Sequence, residues 1–98
     1  MFYVIRKFSS IEKGKPFSYG YKVMEECEKI DDAIHYVQFY SKLLHDGCKS
    51  IMDAFASKYN LSLEEEGKEE FYTNRVTLET KNETAISLFY ISRNYPIG

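Results

Sequence analysis

Phe17-Ser18-Tyr19-Gly20-Tyr21-Lys22-Val23-Met24-Glu25-Glu26-Cys27 carries the clearest periodicity in the chain. Phe17, Tyr19, Tyr21 and Val23 alternate with Ser18, Gly20, Lys22 and Met24, and Cys27 keeps the first parity. Side chains of a strand point alternately to its two faces, so a period of two predicts a half-buried β-strand. Upstream, Phe2-Tyr3-Val4-Ile5-Arg6-Lys7-Phe8 is rich in β-formers and begins without a helix cap, which predicts a first strand. The turn-prone Lys13-Gly14-Lys15-Pro16 between them lets the second strand fold back on the first.

Downstream the period changes. Asp31 or Asp32 supplies a carboxylate to cap a helix and to meet the positive end of its dipole. Ala33, Val37, Tyr40 and Leu44 then recur at i, i+4, i+7 and i+11 and share one stripe. Asp46-Gly47 reads as a stop, since glycine takes the left-handed conformation that ends many helices. A second helix fits Cys48, Ile51, Met52, Phe55 and Tyr59 and ends near Asn60; a helical hairpin and a single kinked helix both accommodate this pattern.

Strand character returns in the last third. Phe71 to Thr80 places Tyr72, Val76 and Leu78 on one parity. Thr84 to Arg93 carries Ile86, Leu88 and Tyr90 on one parity and Phe89 and Ile91 on the other, which marks a central strand or one covered on both sides. Lys81-Asn82-Glu83 joins the two as a hairpin loop. Leu61-Ser62-Leu63 fits a brief edge strand, and Glu64 to Glu70 a solvated connection. The expected fold is therefore α+β: a mainly antiparallel four-stranded sheet, in the order β-β-α-α-β-β, with two helices packed on one face. One domain spans residues 1–98.

Composition agrees with a folded binding domain. The chain of 98 residues is 44% hydrophobic and 29% charged, too apolar for disorder. Nine Tyr and seven Phe without Trp give an aromatic surplus that suits both sheets and interfaces. The net charge of −2 is unevenly spread. Residues 1–22 hold five bases and one acid, whereas residues 61–83 hold three bases and seven acids. The first ten residues lack the features of a secretion signal, so a cytoplasmic protein with reduced Cys27 and Cys48 is expected, and the sequons at Asn60 and Asn82 carry no role. No apolar run reaches the roughly 18–20 residues that cross a bilayer, so a membrane is not an expected partner.

Catalytic constellations are sparse. Cys27, His35, His45 and Cys48 have the right donors for zinc but not the close paired spacing of structural sites. Cys48 with His45 resembles a nucleophile and its base, yet the thiol begins an apolar stripe, which favours burial over activation. The carboxylates at Glu25, Glu26, Glu28, Asp31, Asp32 and Glu64 to Glu70 come in runs that stay in water, and no glycine-rich phosphate loop is present. These features predict a non-enzymatic protein with no metal and no cofactor.

Three surfaces are candidates to meet a protein partner. Tyr36, Phe39 and Leu43 lie beside the core stripe of the first helix, and Glu64, Glu65, Glu66, Glu69 and Glu70 form an acidic stretch able to dock on a basic surface. The third is the tail Asn94-Tyr95-Pro96-Ile97-Gly98, an extended segment able to add to a groove. The leading expectation is a small protein that acts by occupying a partner's surface; a specific form is an inhibitor carried by a phage or other mobile element and aimed at a host or defence enzyme. A second expectation is a single-stranded nucleic-acid binder using Arg6, Lys7, Lys13, Lys15, Tyr19 and Lys22 on the first hairpin, where aromatic rings stack bases and cations meet phosphates. A third is a homodimeric module joined through the first helix, so the chain is expected as a monomer or a homodimer.

Overall fold

The strand of residues 2–12 alternates so that Val4 and Ile5, both almost fully buried, point to opposite faces of a sheet. Around it a computed structural model, which describes residues 1–67 and 72–96, builds β1 (Phe2–Glu12), β2 (Ser18–Cys27), α1 (Ile30–Ala54), β3 (Tyr59–Glu66), β4 (Thr73–Thr80) and β5 (Glu83–Ser92). The strands form one antiparallel sheet in the order β2-β1-β5-β4-β3. β5 is central, and it joins the β1–β2 pair to the β3–β4 pair. Register slips between Val4 and Ile5, which face Glu25 and Val23, so that Met24 is an extra residue in β2.

Helix α1 lies on one sheet face. Ala33, Val37 and Ser41 recur every four residues and are fully buried. Their small size lets the helix approach Val4, Val76, Phe89 and Ile91, which form the core with Cys27 and Tyr72. Burying Phe89 or Val37 stabilises by about 1.5–3 kcal/mol each. Two polar side chains are buried with them: Asn74 Nδ2 donates to Ser41 Oγ at 2.8 Å, and Ser41 Oγ donates to the Gln38 carbonyl at 3.1 Å. Asn74 Oδ1 has no hydrogen-bond partner among the described residues.

This architecture corrects the expected four strands and two helices. The described residues contain five strands and one helix, in the order β-β-α-β-β-β. Two local features explain the difference. Gly47 does not adopt the left-handed backbone; it sits inside a 25-residue helix, its intrinsic cost of about 1 kcal/mol offset by packing on either side. The helix instead stops nine residues later, at Ala56, whose φ of 50° is left-handed. Ala56 N–H donates to the Asp53 carbonyl and Ser57 N–H to the Met52 carbonyl, the paired bonds of a Schellman ending with alanine in glycine's usual place. Tyr59, expected as the end of a second helix, opens β3, and its hydroxyl donates to Asp53 at 2.5 Å. β3 also takes in Glu64, Glu65 and Glu66, expected in a connection, because Leu61 and Leu63 on alternate positions pack against the core. At the helix start, Lys29 holds the cap position, and Asp31 and Asp32 fall in the first turn, where they meet the dipole.

Three substitutions test these assignments by urea denaturation. Ala56→Gly removes the left-handed penalty and is expected to raise stability by about 0.5–1 kcal/mol. A loss would show that the helix does not end there. Gly47→Ala is expected to add about 1 kcal/mol. Ser41→Ala strands the Asn74 amide and is expected to cost about 1–3 kcal/mol.

Candidate functional site

Because Ala33, Val37 and Ser41 lie in the first half of α1, close packing on the sheet is concentrated there. The second half overhangs, and a cleft of about 330 Å³ opens beneath it. Tyr40, Leu43, Leu44, Cys48 and Ile51 line the helix side, and Arg6, Met24 and Phe89 line the sheet side. Beside the cleft, Phe39 is 51% exposed, Leu43 59%, Ile51 58% and Phe55 77%. Spaced four apart with Gly47 between Leu43 and Ile51, these residues make one inclined ridge along the helix. Tyr36 and Tyr40 stack at 6.0 Å, and Phe39 meets Tyr40 edge to face at 5.4 Å, so the aromatic end of the ridge is braced from behind.

Of the residues expected to meet a partner, Tyr36, Phe39 and Leu43 therefore share one surface, with Tyr36 half-buried against the core. Glu64, Glu65 and Glu66 sit apart from them, exposed on β3 at the sheet edge, with Glu64 lying 3.8 Å from Arg75. Glu69 and Glu70 lie outside the described residues, as do residues 97–98 of the tail. Tyr95 packs edge to face on Tyr3 at 5.3 Å.

The six residues expected to bind nucleic acid do not converge. Directly paired residues of an antiparallel sheet share a face, and Lys22 pairs with Arg6 on the helix-bearing side. Lys7 and Tyr19 have the opposite parity and point to the bare side, where Lys7 lies 5.7 Å from the Tyr21 ring centroid. Lys13 and Lys15 are in the connecting turn, and Lys15 pairs with Glu12 at 3.4 Å. Arg6 is engaged within the fold: its Nε donates to Ser87 at 3.1 Å, and its guanidinium stands 5.6 Å from the Phe8 ring and 5.9 Å from the Phe89 ring. The bare side itself is apolar along β2, β1 and β5, through Tyr21, Val23, Ile5, Leu88 and Tyr90, and carries Thr77, Arg75 and Glu64 toward the other edge.

Donor groups for chemistry stay dispersed. No group of three or more His, Cys, Asp or Glu suited to a metal occurs among the described residues. Cys27 and Cys48 are both free thiols. Burial pushes the Cys48 thiol above its ordinary value while nearby Arg6 pulls it down, and burial raises Cys27 with help from Asp32 and Glu25. His45 Nδ1 lies 3.1 Å from Asp46 Oδ1, and no hydrogen bond joins it to Cys48. Among the described residues no helix is long and apolar enough to cross a membrane.

Ile51 and Phe55 were expected to face the core of a second helix, and their exposure is the feature sequence reasoning missed. The readable signal was the repeat at 39, 43, 47, 51 and 55, which continues through the presumed stop. No protein-family model, curated protein or solved structure matches this chain.

Proton affinities give this arrangement a pH signature. The Tyr40 phenol is raised by its 2.5 Å bond to Glu25, the Tyr59 phenol by its bond to Asp53, and Tyr90 by burial. With the two thiols, these groups hold their protons more tightly when folded. Their contribution is complete below the ordinary values of 9.0 for a thiol and 10.0 for a phenol, and is lost as pH rises through the higher folded values. The thermal midpoint is expected to fall progressively above about pH 9; a midpoint unchanged through the phenol range would refute the hydrogen bonds of Tyr40 and Tyr59 and the burial of Tyr90 and the thiols.

Proposed function

We propose that this chain is a non-enzymatic binding domain that acts by occupying a surface of a protein partner, and that the outer side of α1 is the docking surface. The observation that carries this reading is the ridge of Phe39, Leu43, Ile51 and Phe55, each more than half exposed and set beside an apolar cleft. Scattered apolar side chains are normal on a surface, whereas a continuous ridge marks an interaction site. Large aromatic residues on such a patch supply a large share of the binding energy, and a pocket alongside gives a partner's side chain somewhere to be desolvated.

The partner chemistry follows from the surface. A ridge on a helix fits the groove between ridges of another helix, so the complementary element is an amphipathic helix with large apolar side chains. Alternating charges beside the ridge, at Lys42, Asp46, Lys49 and Asp53, select a partner helix carrying charges in the complementary order.

Phe39→Asp puts a charge at the ridge without touching the buried Ala33, Val37 and Ser41. It is expected to leave the circular dichroism spectrum intact and to weaken partner binding by about a hundredfold. The check is affinity capture by wild type, Phe39→Asp and Glu65→Lys from nuclease-treated extract, followed by titration of the captured protein in purified form. A stoichiometric partner bound by wild type and Glu65→Lys but lost by Phe39→Asp supports the reading. Binding unchanged by Phe39→Asp, or erased by nuclease, overturns it.

A further inference from the structure

Gly47 has no explanation inside its own chain. It lies in the middle of α1 without a left-handed φ, and a Cβ built on it meets nothing within 4 Å. A helical glycine there costs about 1 kcal/mol relative to alanine and leaves a notch on an exposed surface. The notch stands at the centre of the ridge, flanked by Leu43 and Ile51 at four residues and by Phe39 and Phe55 at eight. The order Phe-Leu-Gly-Ile-Phe reads nearly the same in both directions. A surface that matches its own reversal fits a copy of itself turned about a twofold axis.

We infer that the protein occupying α1 is a second copy of this chain, the two helices crossing antiparallel at Gly47. This rests on the docking role proposed above for α1 and names its partner. When two helices interdigitate their i±4 ridges they cross at about −50°, and the side chain at the crossing point limits how closely the axes approach. Glycine on both copies removes that limit. Leu43 of each copy then lies against Ile51 of the other, and Phe39 against Phe55. The cleft beside Gly47, lined by Leu44, Cys48 and Met24, gives Leu43 of the second copy an apolar seat.

Charge agrees with the reversal. Along one flank of the ridge run Lys42, Asp46, Lys49 and Asp53, all exposed. In an antiparallel pair a flank meets the same flank of the other copy running the opposite way. Lys42 then faces Asp53 and Asp46 faces Lys49, each twice about the axis, with every contact between opposite charges. Within one chain Lys49 already bonds Asp53 at 2.6 Å, so the second copy extends an alternating row rather than replacing it. The area also suffices. Taking roughly 200 Å² for each large side chain and the exposed share of each, about three-fifths on average, the eight ridge residues of a pair offer on the order of 1,000 Å² before the flank is counted, near the lower bound for a specific interface.

The experiment is sedimentation equilibrium of the full chain from low to high micromolar concentration. Wild type is expected to approach twice the chain mass of 11.5 kDa. Gly47→Leu fills the notch where its own chain offers open space, so it is expected to keep or raise thermal stability while weakening self-association about tenfold or more. Two charge variants examine the flank. Lys42→Glu with Lys49→Glu makes it all acidic, and Asp46→Lys with Asp53→Lys makes it all basic. Each alone is expected to be monomeric, and an equal mixture to pair. A monomeric wild type at every concentration overturns the second copy as partner and leaves the docking role to the capture experiment. A dimer that survives both Gly47→Leu and Phe39→Asp places self-association on another surface and also overturns the inference. Failure of the mixed charge variants to pair, with each folded, rules out the antiparallel flank.

Discussion

The Asn74 side chain donating to Ser41 inside the helix–sheet seam is the contact on which the placement of everything else depends. A buried amide without a partner costs a few kcal/mol, so a slide of α1 along the sheet that parts these two groups is penalised far more than a slip between apolar surfaces. Asn74 Oδ1 already goes without a partner among the described residues, which leaves the seam little tolerance for a second loss. The bond therefore acts as a pin, and the small residues Ala33 and Val37 on the same stripe set how near the helix lies. With the first half held down, the second half overhangs, and the cleft and the exposed ridge are geometric results of that arrangement.

Much of the sheet could be read from the residues, because its signals are local. The alternation in residues 17–27, the β-formers of residues 2–8 and the paired parities of the last strand each describe a surface with one or two buried faces, and β1, β2 and β5 form where those patterns lie. The helix boundary failed for a tertiary reason. Asp46-Gly47 is a sound stop signal in isolation, and Ala56 is a poor one, yet packing from Ile30 to Cys48 favours a continuous helix by more than the glycine penalises it. Once that boundary moved, Tyr59 was released to β3 and the sheet gained its fifth strand.

The exposed apolar side of the helix was legible only in part. Phe39 and Leu43 stand off the core stripe by their own spacing and are exposed, Tyr36 packs against the core, and the exposure of Ile51 and Phe55 was hidden by the misplaced break. The basic and aromatic residues of the first hairpin are divided between surfaces. They are adjacent in sequence, but a strand sends neighbours to opposite sides, and Arg6 and Lys7 end on different faces of the sheet. Sequence proximity within a strand is evidence against a shared surface unless the separation is even.

The position of β5 has a consequence for how the chain is made. The strand that bridges the two halves of the sheet also follows the other five described elements along the chain. Until residues 83–92 leave the ribosome, β1 and β4 each present an unsatisfied inner edge with nothing to fill the gap between them. The nascent chain thus holds two separate ribbons and a helix with no complete floor, and cooperative closure waits for a strand that pairs with β1 across separations running from Glu12–Glu83 to Tyr3–Ser92. A pause before residues 83–92 would therefore prolong the interval in which both inner edges stay unpaired.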